Sequence, residues 1–182
     1  MRIAHPRHAV RTLAVGLVLP LAAARAQWRV VETPASAGRQ AEVTAMVRER
    51  SDSLADDAEA IALVVRCRSR QLDAFLTTRD ELESDLAADV RVRVDSDSVR
   101  PIDTRWQATR AGTGAFIPSS DLRELIQRRL LRPVPELRIS AVTQRRGRVT
   151  WTFAATGFEP ALGALREACP GEQRGALALP RR

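Results

Sequence analysis

The chain has 182 residues, 45% apolar and 28% charged, which suits one ordinary folded domain and argues against a disordered composition. The formal charge is +7, but residues 1–26 hold four arginines and no acid, and the remainder carries 25 arginines against 22 acids, or +3; that balance does not call for a nucleic-acid partner. There is no lysine or tyrosine, and both histidines, His5 and His8, lie in the first 26 residues. The rest of the chain is therefore without the groups for a Ser-His-Asp triad, a lysine Schiff base or a histidine-ligated metal.

Arg2, Arg7 and Arg11 precede an apolar run, Thr12–Ala24, that ends in Ala24-Arg25-Ala26. A charged start, a short apolar middle and small residues at −3 and −1 describe a secretory signal peptide. The run is too short for a membrane span, which needs roughly 20 apolar residues. Cleavage is expected between Ala26 and Gln27. The product is expected to be periplasmic or secreted, with no transmembrane segment.

Strands are expected over Trp28–Thr33, Gln40–Arg48, Ala60–Cys67 and Gln71–Thr77, the last two forming a hairpin across Arg68-Ser69-Arg70. Leu63, Val65 and Cys67 share one face. Asp89–Asp95 alternates most clearly, with Val90, Val92 and Val94 inward and Arg91 and Arg93 outward. Ile102–Thr109 and Thr113–Ile117 follow as short strands, and Trp106 reads as a strand residue of the core. A helix is expected near 120–131, begun by Asp121 with Glu124 at capping-box spacing or by Ser120 as cap. Its apolar stripe is Leu122, Leu125, Ile126 and Leu130. Pro133 and Pro135 end it. Glu136–Gln144 and Arg148–Ala155 form a second hairpin around Arg145-Arg146-Gly147. Gly157-Phe158-Glu159-Pro160 opens a last helix near 158–168, with Pro160 tolerated in the first turn. Residues 170–182 are expected to be a flexible tail.

Cys67 and Cys169 are the two cysteines, so one intramolecular pairing exists. Cys67 lies on the core face of its strand. Cys169 lies at i+4 from Leu165 on the packing face of the last helix. An oxidising compartment favours closure, so a Cys67–Cys169 disulfide is expected.

Three acidic stretches invite scrutiny: Asp52, Asp56, Asp57 and Glu59; Asp80, Glu81, Glu83 and Asp85; and Asp95-Ser96-Asp97-Ser98. None has the spacing of a calcium loop. A carboxylate pair for glycoside hydrolysis depends on geometry that spacing does not give. Arg145, Arg146 and Arg148 make a basic turn that could meet phosphate or an anionic lipid, though a hairpin tip is also an ordinary place for charge. Ser119 and Ser120 read as caps rather than nucleophiles.

Several segments together are similar to a known family. They are Leu63-Val64-Val65-Arg66-Cys67, Leu72-Asp73-Ala74-Phe75-Leu76, Val90-Arg91-Val92-Arg93-Val94-Asp95, Trp106, and Ala115-Phe116-Ile117-Pro118. The closing run passes from Val149-Thr150-Trp151-Thr152-Phe153 through Gly157-Phe158-Glu159-Pro160-Ala161-Leu162 to Leu165-Arg166-Glu167-Ala168-Cys169. Over about residues 60–169 their order resembles the exported VasI/TagO-type proteins associated with type VI secretion. Phe158 and Thr109 depart from that family's pattern. The resemblance implies a small periplasmic accessory protein with no catalytic residues to carry over.

The expectation is thus a mainly β (α+β) fold, an antiparallel, sandwich-like sheet with two helices packed on it. Residues 1–26 are read as the signal peptide, 27–169 as one β-rich domain and 170–182 as the tail. The expected role is that of a non-enzymatic binding protein of the bacterial envelope, with a possible place in type VI secretion implied by the resemblance. No catalytic, cofactor-binding or metal-ligating set is assigned, and no cofactor. The expected partner is another envelope protein and not nucleic acid; oligomeric state is left open. An exported hydrolase with a carboxylate pair, or a small-ligand or lipid carrier, stays open as an alternative.

Overall fold

The computed structural model describes residues 28–37, 40–51, 60–97, 99–132 and 134–177, apart from the side chains of 173 and 174. The leader with its Ala26–Gln27 cleavage site, the acids Asp52, Asp56, Asp57 and Glu59, and residues 178–182 lie outside these.

Nine strands form: β1 Arg29–Thr33, β2 Glu42–Arg48, β3 Ala62–Arg68, β4 Gln71–Thr77, β5 Asp89–Ser96, β6 Val99–Ala108, β7 Gly114–Phe116, β8 Glu136–Thr143 and β9 Gly147–Ala154. They make one sheet in the order β1-β2-β3-β4-β7-β6-β5-β8-β9, antiparallel at every pairing. The fold is mainly β, as the alternating sequence patterns indicate. The antiparallel sheet expected is one continuous sheet, and the end of β2 meets β9. Glu49, just after β2, bridges Phe153 of β9, and the Arg50 amide donates to the Thr152 carbonyl at 2.9 Å. Strand twist accumulated over nine strands gives the curvature this requires.

The inward face of each strand is read from its alternation. Val90 faces Trp106 across β5 and β6, Val94 faces Ile139 across β5 and β8, and Ile139 faces Trp151 across β8 and β9. All five are buried in one core with Leu63, Val65 and Leu76. Burying each such side chain is worth about 1.5–3 kcal/mol. Gly114 lets β7 approach β4, since a Cβ there would lie 2.5 Å from the Leu76 carbonyl oxygen.

Helix α1, Ser119–Leu125, runs on into a π-helical turn, Ile126–Leu130, closed by the Leu131 amide on the Ile126 carbonyl at 3.0 Å. Its expected stripe, Leu122, Leu125, Ile126 and Leu130, is buried. Neither Ser120 nor Asp121 caps it: the N-cap position is Pro118, with no side-chain hydrogen bond. Asp121 turns inward instead, for a reason given below. Helix α2, Phe158–Ala168, starts after Gly157, whose φ of 86° favours glycine. Phe158, Ala161, Leu162 and Leu165 are buried. The Phe158 ring meets Trp28 edge-on at 4.7 Å, and the Trp28 indole donates to the Ala154 carbonyl at 3.1 Å.

Cys67 and Cys169 form a disulfide, with Cα atoms 5.9 Å apart and a sequence separation of 102. It ties the end of α2 to β3 near the middle of the first half of the sheet. The stretch after it differs from expectation. Pro170–Arg174 forms a 3-10 turn, Ala176 and Leu177 are buried in the core, and the Gln127 side chain donates to the Gly175 carbonyl. Two apolar residues in Gly-Ala-Leu are enough to dock this segment, so the part of the expected tail up to Leu177 is packed rather than loose.

Candidate functional site

The outward face of β5, β6, β8 and β9 is a ladder of charge. Arg91 stands opposite Arg105, and Arg93 opposite Asp103. Arg148 on β9 stands opposite Val142 on β8. The loop between β4 and β5 folds beside this face. Leu82 plugs into the core and bridges Thr143, Ser84 bridges Val90, and the Glu83 amide donates to the Val142 carbonyl at 2.9 Å. Loop and ladder enclose an open hollow of about 580 Å³, lined among others by Glu83, Asp85, Arg91, Arg105 and Arg148.

Most of its acids are already paired. The Arg93 Nη1 lies 3.2 and 3.0 Å from the two Asp103 oxygens. Arg105 lies 3.3 Å from Asp85 and 3.9 Å from Asp89. The Asp85 carboxyl is held below its usual value chiefly by the Asp89 amide; desolvation opposes this, and the Ala87 amide and the charges of Arg105 and Arg91 add smaller lowering effects.

Asp80, from the same stretch as Glu83 and Asp85, and the Asp95-Ser96-Asp97 stretch do not line this hollow. Asp80 is nearly buried and receives Arg146, with Arg145 at 3.9 Å. Asp95 and Asp97 both face Arg138, at 3.6 and 2.8 Å, and its guanidinium is held above its usual value chiefly by the Asp97 hydrogen bond. The D-x-D stretch thus grips an arginine. Among the described residues no group of three or more His, Cys, Asp or Glu side chains is placed to hold a metal ion. The basic turn is divided: Arg145 and Arg146 go to Asp80, and Arg148 faces the hollow.

Two interior groups carry polarity that the strand patterns do not announce. Asp121 accepts hydrogen bonds from the Thr104 hydroxyl at 2.6 Å and the Trp106 indole at 3.1 Å, which is why it leaves the helix cap. Arg129, in the π-helical turn, is 0% exposed. It donates to the Ser96 hydroxyl at 2.9 Å and the Arg100 carbonyl at 2.8 Å. Burial lowers its pKa from the usual arginine value, opposed by the charges of Glu124 and Asp95. The expected apolar stripe leaves it out, although residue 129 stands seven after Leu122 on the same helical face.

On the other half of the sheet, Arg66 forks onto Asp73 at 2.9 and 2.8 Å and lies 5.1 Å from the Phe75 ring centre. Asp73 is the main cause of its raised pKa. Phe75 meets Phe116 edge-on at 5.8 Å. A second hollow, about 410 Å³, opens beside Cys67, Val43 and Ala168. The bridge at its base is buried, so the disulfide reads as structural. No described helix is long and apolar enough to cross a membrane. Comparisons with protein-family models, curated proteins and solved structures give no match to this chain.

Proposed function

We propose that this chain is exported and acts as a disulfide-stapled, non-enzymatic binding protein of the bacterial envelope, with an accessory role in type VI secretion as its specific form. The observation that carries the reading is the Cys67–Cys169 bridge, fully buried between sheet and α2. Such a bridge suits an oxidising compartment, the destination a leader like residues 1–26 would supply. The similarity to VasI/TagO-type proteins over residues 60–169 supports the specific form.

The electrostatics of the charged hollow favour binding over hydrolysis. A glycosidase pair needs one carboxyl raised toward neutrality and able to give a proton. Asp85 is shifted the opposite way, and Asp89 and Asp103 are held by arginines. Purified protein lacking residues 1–26 is expected to show background turnover on glycoside, ester and peptide panels. Activity abolished by Glu83→Gln or Asp85→Asn would overturn the binding reading. Deleting the gene in its own host should reduce type VI secretion into the medium; unchanged secretion would remove the specific form.

A further inference from the structure

We propose that the hollow beside β5 and β9 is a binding site for a small oxyanion, a phosphoryl group held between Arg91 and Arg148. Both side chains are exposed and line the same cavity. Neither makes a hydrogen bond or ion pair with a described residue; Arg91 acts on Asp85 only through space. Their neighbours are committed, Arg93 to Asp103 and Arg105 to Asp85 and Asp89.

Arg91 and Arg105 face each other directly across β5 and β6. Like charges in that position oppose strand pairing. Asp85 and Asp89 offset the charge on the Arg105 side, and an anion between Arg91 and Arg148 offsets that of the other two guanidiniums. On the β9 side, Val142 stands opposite Arg148 and directly follows Ala141, the partner of Val92. An aliphatic side chain thus separates the two uncommitted guanidiniums and leaves space above it. Neighbouring strands lie about 4.8 Å apart, so two long arginines placed two strands apart can close on one group. A guanidinium fork matches the oxygens of a phosphoryl group.

The acids limit the ligand's size. Four arginines (Arg91, Arg93, Arg105 and Arg148) and four acids (Glu83, Asp85, Asp89 and Asp103) line the hollow and their formal charges cancel, so the attraction for an anion is local to Arg91 and Arg148. That suits one compact phosphoryl group between the two guanidiniums and gives no net attraction for a polyanion such as nucleic acid. Free phosphate and a lipid headgroup share this chemistry.

The test uses folded protein lacking residues 1–26 at low ionic strength. Inorganic phosphate is titrated by calorimetry. In parallel, co-flotation is measured with phosphatidylcholine vesicles with and without phosphatidylglycerol. The double variant Arg91→Gln, Arg148→Gln is compared with Arg110→Gln, Arg123→Gln, which removes equal charge from exposed sites away from the hollow. The first pair is expected to weaken binding about tenfold or more, and the second less than about twofold. Binding of phosphate alone identifies a free anion; binding only of phosphatidylglycerol vesicles identifies the headgroup. No binding of either probe, or equal loss in both double variants, would overturn the site. The exposed position of all four arginines makes folding of the variants checkable by an unchanged melting temperature.

Discussion

Arg129 brings a guanidinium into the interior with two neutral acceptors, and its Nε has no partner among the described residues. A buried charge without a carboxylate in contact is costly, and an apolar residue of similar volume is often tolerated as well or better. Arg129→Met is therefore expected to lie within about 1 kcal/mol of the parent in urea unfolding, while Arg129→Ala, which leaves a cavity, should cost about 2–4 kcal/mol. Equal, large losses in both would mean that the two hydrogen bonds, not the packed stem, hold the site together. Helical spacing puts Arg129 on the core face, yet an arginine in a 3.6-residue pattern is ordinarily read as solvent-facing. Asp121 shows the same limit. Its spacing to Glu124 fits a capping box, but the Thr104 hydroxyl and Trp106 indole offer better-buried donors. Those donors come from β6, and no local pattern brings them into view.

Among the elements, the β3–β4 hairpin shows what its sequence tolerates. Its two linking residues, Ser69 and Arg70, have φ of 57° and 62°. Both are left-handed, as the tightest hairpin turn demands, and neither is the Asn-Gly that suits it best. Ser69→Asn with Arg70→Gly is expected to raise stability by about 1 kcal/mol, visible as a higher melting temperature. A lower one would mean that the Arg70 side chain contributes through the neighbouring hollow, which it helps to line. The strands were legible because valines and leucines alternate cleanly: β4 matches its expected limits, and β5 runs one residue further. The hairpin around Arg145-Arg146-Gly147 was legible too. The sharing-out of its arginines was not, because Asp80, which takes Arg145 and Arg146, sits in a loop some 66 residues earlier. The charged hollow was hidden for a related reason. Arg91 and Arg105 come together only through strand register, and Arg148 joins them through the β5–β8–β9 order.

At the scale of the molecule, local patterns specify strands and helices but not the order β4-β7-β6-β5 or the meeting of β2 with β9. The disulfide was legible because two cysteines allow one pairing and each lies on an apolar face. It closes a loop of sequence separation 102, for which chain entropy assigns roughly 4–5 kcal/mol as an upper figure. It also holds α2 to β3 at a point where the first half of the sheet packs on Phe158 and Leu165. The central claim joins this bridge to export. The direct measurement is the intact mass of protein recovered from the periplasm of cells expressing the full chain, before and after reduction with alkylation. The account predicts a chain beginning at Gln27 that takes up no alkylating reagent until reduced and then takes up two equivalents, at Cys67 and Cys169. A chain retaining Met1, or thiols that alkylate without reduction, would contradict it.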